Sequence, residues 1–239
     1  VGSLKIFFNY LAAAFRVPQT PPPVEIQIEP SSRCNLRCSI CNLKNYQSKH
    51  SFLSPASLEK LVRQLKPIQN VNLTGMGESL LNPQFIKLLT ILNRHHVSFT
   101  FITNGQLLNP ILAQKVLSQK PKAIIVSIDA TDKKYENIRL GASFPLLVKN
   151  LTHLFQLSQK LSPKTELILN TVLIHRQEIQ NQKDIESIIK LADRVNFSRV
   201  TFQNVFEPNT HLQKYHQNHS RQLTIRYQKI QTIASRYHQ

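Results

Sequence analysis

The chain has 239 residues, 41% of them hydrophobic, enough for one sizeable core or one α/β barrel. Its 30 basic and 13 acidic residues give a net charge of +17, which suits either an acidic partner such as nucleic acid or an anionic membrane surface, or a solvated basic surface. The three cysteines all lie between positions 34 and 41, which excludes a secreted disulfide framework and is read as a reducing, cytoplasmic compartment.

Residues 1–23 read as an N-terminal extension. Val1–Phe15 is modestly apolar but lacks a charged start, a long apolar core and a cleavage signal, so no signal peptide is expected. No apolar run in the chain is long enough to cross a bilayer. Residues 24–29, VEIQIE, alternate with the period of a strand. Val24, Ile26 and Ile28 share one face and Glu25, Gln27 and Glu29 the other. A polar face on a parallel strand suits a barrel with a ligand-filled lumen, or an edge strand with one wet side. Further strands are expected at 70–74, 97–103, 122–129, 165–174 and 198–206. Helices are expected at 55–66, 83–95, 110–119, 145–161 and 184–194. Ser54-Pro55, Asn82-Pro83 and Asn109-Pro110 each place a capping residue before a proline suited to the first helical turn.

Six strands alternating with helices imply an α/β fold with a parallel sheet. A partial (β/α)6 TIM-like barrel over residues 24–206 fits, and a flat doubly wound sheet is the alternative. In both, ligands gather at the carboxyl ends of the strands. Residues 207–239 form a separate basic segment. Within it, 211–239 contain no Asp or Glu, and Leu223, Tyr227, Ile230, Ile233 and Tyr237 follow helical spacing.

The chemistry concentrates after the first strand, in Arg33-Cys34-Asn35-Leu36-Arg37-Cys38-Ser39-Ile40-Cys41. Three thiolates on one loop can wrap three corners of a cubic iron–sulfur cluster, leaving one iron open to a ligand. The competing readings are a buried helical stripe, a Cys3His zinc site completed by His50, or a disulfide with one free thiol. Later strand ends carry polar groups too. Gly75-Met76-Gly77-Glu78 offers close backbone approach and a carboxylate for an ammonium group, or is a plain turn. Thr103-Asn104-Gly105 is either a ligand contact or a turn. Ser127 and Asp129 share one face and can meet ribose hydroxyls, or Asp129 caps the next helix. Arg139 can reach a carboxylate, or the end of its own helix.

The cysteine segment resembles the CxxxCxxC signature of radical S-adenosylmethionine (SAM) enzymes, with Ile40 where the family often has an aromatic residue. The order of the later motifs extends the resemblance over about residues 24–206. Met76, Gly77 and Glu78 resemble the family's GGE motif, which contacts the amino group of SAM. Thr103-Asn104-Gly105 with Leu107-Leu108, and Ser127-Ile128-Asp129, resemble further SAM-contacting segments. Tyr135, Arg139 and Phe144 resemble the subgroup that carries SPASM or twitch extensions, although no cysteine follows Cys41. Glu178 matches a family glutamate only loosely, since Thr171 and His175 replace its two glycines.

The resemblance implies a 4Fe-4S cluster on Cys34, Cys38 and Cys41. SAM would lie among Met76, Gly77, Glu78, Asn104, Ser127, Asp129 and Arg139. It implies reductive cleavage of SAM to a 5′-deoxyadenosyl radical that abstracts hydrogen from substrate. The substrate is expected to be a peptide or protein, with RNA as the alternative that the basic charge favours. An electron donor such as flavodoxin or ferredoxin is expected. A non-catalytic zinc- or cluster-binding module is the alternative from another class.

Overall fold

The computed structural model describes residues 23–41, 43, 51–65, 68–173 and 181–204. The extension before residue 23, the basic segment 207–239, His50 and Glu178 therefore lie outside the described residues.

Each expected strand forms, slightly shorter than its sequence pattern: β1 (Glu25–Ile28), β2 (Asn70–Leu73), β3 (Ser98–Thr103), β4 (Ala123–Ser127), β5 (Glu166–Leu173) and β6 (Arg199–Asn204). They build one parallel sheet in the order β1-β2-β3-β4-β5-β6. A doubly wound sheet would reverse its strand order at a switch point. This sheet never reverses, which resolves the choice left open above in favour of an open, partial barrel.

The connecting helices are α1 (Pro55–Gln64), α2 (Phe85–Arg94), α3 (Pro110–Leu117), α4 (Asp132–Ile138), α5 (Phe144–Leu161) and α6 (Gln182–Arg194). Ser54 and Asn109 cap α1 and α3 as expected, accepting from Ser57 N and Leu112 N at 3.1 and 2.9 Å. Asn82 does not start α2, which begins three residues later. Its amide instead donates to the carbonyls of Pro30 and Leu53, at 2.8 and 2.9 Å. Long-range partners thus take the amide nitrogen of the residue that local sequence assigned to a cap, while its Oδ1 accepts locally from Gln84 N at 2.9 Å. Helix α4 has no range among the expected helices, although the cap considered at Asp129 and the helix end considered at Arg139 presuppose it. Seven mostly polar residues are too few for helical periodicity to show, yet Tyr135 and Ile138 lie three apart and are both buried.

Pleating divides the sheet into two unlike faces. Val71, Leu73, Phe99, Phe101, Ile124, Val126 and Leu169 point to the helices and form the core with Leu88, Leu92, Leu117 and Leu151. Fully burying each such side chain contributes about 1.5–3 kcal/mol. The other face is largely polar. Glu25 accepts from Asn70 Nδ2 at 2.9 Å and Asn72 Nδ2 at 2.7 Å. Both readings of the first strand hold together: β1 is an edge, and its polar row is the start of the inner face.

Candidate cofactor site

The cysteine loop leaves β1 through a pinned base. Ser31 bridges Phe52, Leu53 N donates to Pro30 O at 2.9 Å, and Ser32 N donates to Ser51 O at 3.1 Å. The Arg33 guanidinium stacks on the Phe52 ring, 5.2 Å from its centroid. Beyond the base, segments that follow three other strands hold the loop. After β2, Glu78 N donates to Arg33 O at 2.7 Å. After β3, Asn104 Nδ2 donates to Asn35 Oδ1 at 2.8 Å. After β4, Arg37 N donates to Leu140 O at 2.9 Å and Ser39 N to Ile138 O at 2.8 Å. That last pair of bonds sets Cys38 opposite Arg139. The Cys34 and Cys41 sulfurs accept from Leu36 N and Leu43 N at 3.4 and 3.3 Å, and all three cysteines are half-buried.

Several expected ligand groups turn out to serve this scaffold. A Cβ on Gly77 would lie 2.1 Å from Ser31 O and 2.6 Å from Arg33 O. Its α-carbon therefore packs closely against the backbone of the cysteine loop. Glu78 is buried and its carboxylate is occupied. It accepts from Thr103 Oγ1 and Asn104 N at 2.7 Å each and from Leu80 N at 3.2 Å. It is not presented to an ammonium group. The Asn104 side chain is likewise taken by Asn35 and, through its oxygen, by Gln106 N at 3.0 Å. Asp129 is fully buried, accepting from Val172 N at 3.0 Å and pairing with Arg139 Nη2 at 2.6 Å. It neither caps α4, whose N-cap is Thr131, nor stands open to a ribose. Ser127 sits half-buried at the end of β4, opposite Asn170 of β5. Met76 is exposed at the rim.

Burial dominates the electrostatics. It pushes the Cys34 thiol up, and pushes Cys38 up to about 11 against the opposing pull of Arg139. Burial likewise raises the Glu78 carboxyl, opposed by its hydrogen bonds from Asn104, Thr103 and Leu80, and lifts Tyr135 to about 12. Burial alone would lower Arg139, but Asp129, Cys38 and Tyr135 more than offset it, so the guanidinium stays charged. Its buried Nε has no hydrogen-bond partner among the described residues. An unpaired buried donor is costly, so a ligand acceptor there would be stabilising.

Sequence reasoning passed over Gln106 and gave Asn35 and Asn150 no task. Gln106 Oε1 accepts from Ser143 N at 2.9 Å, while its amide reaches Ser143 O at 3.1 Å and Tyr135 Oη at 3.2 Å. Asn150 Nδ2 donates to Gly105 O at 2.9 Å. These bonds join residues far apart in the chain. The only signal available was for Gln106, an amide placed just after the end of β3.

Among the described residues, no group of three or more His, Cys, Asp or Glu side chains is drawn together as a metal ion requires. The fit to a cluster rests on the donor set: three thiols on one pinned loop, with a buried guanidinium opposite the middle one. Soft thiolate donors suit an iron–sulfur cluster. The unpaired Arg139 Nε in turn suits a carboxylate-bearing ligand.

Residues 28–192 match the model of the Radical SAM superfamily, and the chain belongs to that superfamily. The cofactors of the family are a 4Fe-4S cluster and SAM. The chain is 29% identical over 135 residues to mycofactocin maturase MftC of Mycobacterium ulcerans, covering 55% of this chain and 36% of the relative. It is 28% identical over 120 residues to a protein named "Probable GTP 3′,8-cyclase" of Pyrococcus horikoshii, covering 49% and 38%. The crystal structure of Streptococcus suis SuiB bound to S-adenosylmethionine shares the fold, with TM-score 0.68 and 20% identity over 84% of this chain and 45% of that one. The chain thus spans little more than a third of these two curated relatives and under half of SuiB.

Proposed function

We propose that residues 24–206 form the cluster- and SAM-binding core of a radical SAM enzyme that modifies a peptide or protein in a reducing, cytoplasmic compartment. One observation carries the reading: the segments after β2 and β3 and the C-terminal end of α4 each bond directly to the loop that holds Cys34, Cys38 and Cys41. Those three thiolates would hold the cluster. When bound, the cluster and SAM supply reductive cleavage to a 5′-deoxyadenosyl radical, which takes a hydrogen atom from substrate. The protein's part is orientation. Arg139, fixed by Asp129, keeps a charged donor beside Cys38, with its Nε available to the SAM carboxylate. Ser127 offers a hydroxyl on the inner face for the ribose. Met76 and Gly77 present backbone at the rim. Glu78 acts one step back, holding Asn104 N and the end of β3.

The peptide assignment draws on fold likeness to SuiB, which has also been solved bound to its precursor peptide SuiA, with TM-score 0.68 and 19% identity. The net charge of +17 favours RNA as the second reading. Anaerobically reconstituted protein tests the core proposal. It should hold about four iron and four sulfide per chain and release 5′-deoxyadenosine and methionine from SAM under reduction. Stoichiometric zinc without iron would reject it. RNA affinity that falls steeply with salt would move the substrate assignment to the second reading.

A further inference from the structure

Glu29, the residue that follows β1, reaches across to the Gly75–Gly77 turn after β2. Its Oε1 accepts from Met76 N at 2.6 Å and from Gly77 N at 3.1 Å. The contact is built into the backbone. A Cβ on Gly75 would lie 2.3 Å from Glu29 Oε1 and 2.4 Å from its Cγ, so only glycine leaves room for this carboxylate. Glu29 is exposed, unlike Glu78 and Asp129, whose carboxylates are buried within the scaffold.

A trans peptide holds its N–H and C=O on opposite sides of one plane. The N–H of Met76 belongs to the same peptide as the Gly75 carbonyl, and the N–H of Gly77 to the same peptide as the Met76 carbonyl. Drawing both N–H groups onto Glu29 therefore turns both carbonyls away from it. Among the described residues no hydrogen bond is made to either carbonyl. The turn also runs directly into Gly77 and Glu78, which pack on the backbone just before Cys34. The result is two adjacent acceptors at the rim beside the first cysteine, where a ligand's amino group can donate.

We propose that Glu29 is a positioning residue for SAM: by accepting the N–H groups of Met76 and Gly77, it aims the carbonyls of Gly75 and Met76 as a paired acceptor for the ligand's α-amino group. This rests on the function proposed above and adds a residue outside its expected site. The role depends on hydrogen-bond acceptance at one oxygen. A neutral amide oxygen can fill it, whereas direct pairing of the carboxylate with the cationic ligand needs the charge.

The test is the affinity of the reconstituted full chain for SAM and for an analogue lacking the α-amino group. Glu29→Ala should weaken SAM binding about 5- to 50-fold, as expected for one or two misaimed hydrogen bonds. Gly75→Ala, whose new methyl displaces the carboxylate, should do the same. Glu29→Gln should stay within about threefold of the unsubstituted protein, since its amide oxygen still accepts. The penalty in Glu29→Ala should vanish for the analogue, a coupling that a purely structural role would not produce. Equal penalties for both ligands would overturn the proposal, as would unchanged SAM affinity in Glu29→Ala, or Glu29→Gln as impaired as Glu29→Ala. Failure of the underlying function looks different: the unsubstituted protein would bind neither ligand, which overturns both.

Discussion

The rim over β1–β4 and the inner face of β5–β6 are built from similar residues and bonded differently. Over β1–β4, side-chain pairs such as Thr103–Glu78 and Asn104–Asn35 are joined by many bonds from side chains to backbone: Glu78 on Asn104 N and Leu80 N, Asn82 on Pro30 O and Leu53 O, Asn150 on Gly105 O. On β5–β6, polar side chains end on one another, with Thr201 Oγ1 donating to Asn170 Oδ1 at 2.7 Å and Asn170 Nδ2 to Gln203 Oε1 at 3.3 Å. Side-chain-to-backbone bonds fix the path of the chain and so preorganise a site. Side-chain pairs fix only rotamers and can exchange partners with a substrate at little backbone cost. The cofactor half of the molecule is therefore the more heavily tied to backbone, although Thr201 Oγ1 also reaches Leu169 O at 3.4 Å on the opposite half.

The sharpest way to break the comparison is at the cysteines. Replacing Cys34, Cys38 or Cys41 by Ala should abolish SAM cleavage and lower the iron content, measured by 5′-deoxyadenosine release and iron assay. Retained cleavage in any of the three would remove the loop from the chemistry.

Next in size is Asp129→Ala. It strands the Arg139 guanidinium, which is 8% exposed, without its buried partner. Losing one member of a buried ion pair costs about 3–5 kcal/mol, to be read by urea unfolding of the apo-protein. A variant of normal stability but weakened SAM affinity would restore Asp129 to the ribose role expected from sequence. Gly77→Val should follow at about 1–3 kcal/mol, because its side chain must push the Ser31 and Arg33 carbonyls and hence the cysteine loop. Loss of SAM binding with no fall in stability would show that the glycine faces ligand.

Cysteine reactivity tests the electrostatic half of the comparison. In metal-free protein, alkylation of Cys38 should rise with pH through about 11, leaving about one thiol in a thousand ionised near pH 8. Arg139 opposes the upward shift, so Arg139→Gln should move the profile to still higher pH. An unchanged profile in that variant would separate Arg139 from Cys38. Iron–sulfur assembly must correspondingly release protons from these thiols.

The smallest effect is expected on the opposite half. Thr201→Val removes one hydroxyl from Asn170 and should cost about 0.5–1.5 kcal/mol of stability, leaving SAM affinity within about twofold. A large loss of SAM binding there would show that the wiring extends across the whole barrel.

Much of the architecture was already written in local pattern. VEIQIE announced a strand by its period of two, Ser54-Pro55 and Asn109-Pro110 announced helix starts, and the alternation of elements announced a parallel α/β sheet. These features depend on neighbours within a few residues, so the sequence alone could determine them. The cysteine spacing and the order of motifs likewise determined the superfamily. What it could not determine was which polar side chains face a ligand and which hold the protein together. Glu78, Asn104 and Asp129 carry the right chemistry for ligands, yet burial forces each to be satisfied internally, by residues between 25 and 69 positions away among others. Asn82 kept its look of a helix cap while serving as a latch 52 residues back to Pro30. Only the tertiary structure decides such partnerships, because a buried polar group bonds to whatever the fold brings within about 3 Å, and sequence distance does not encode that proximity.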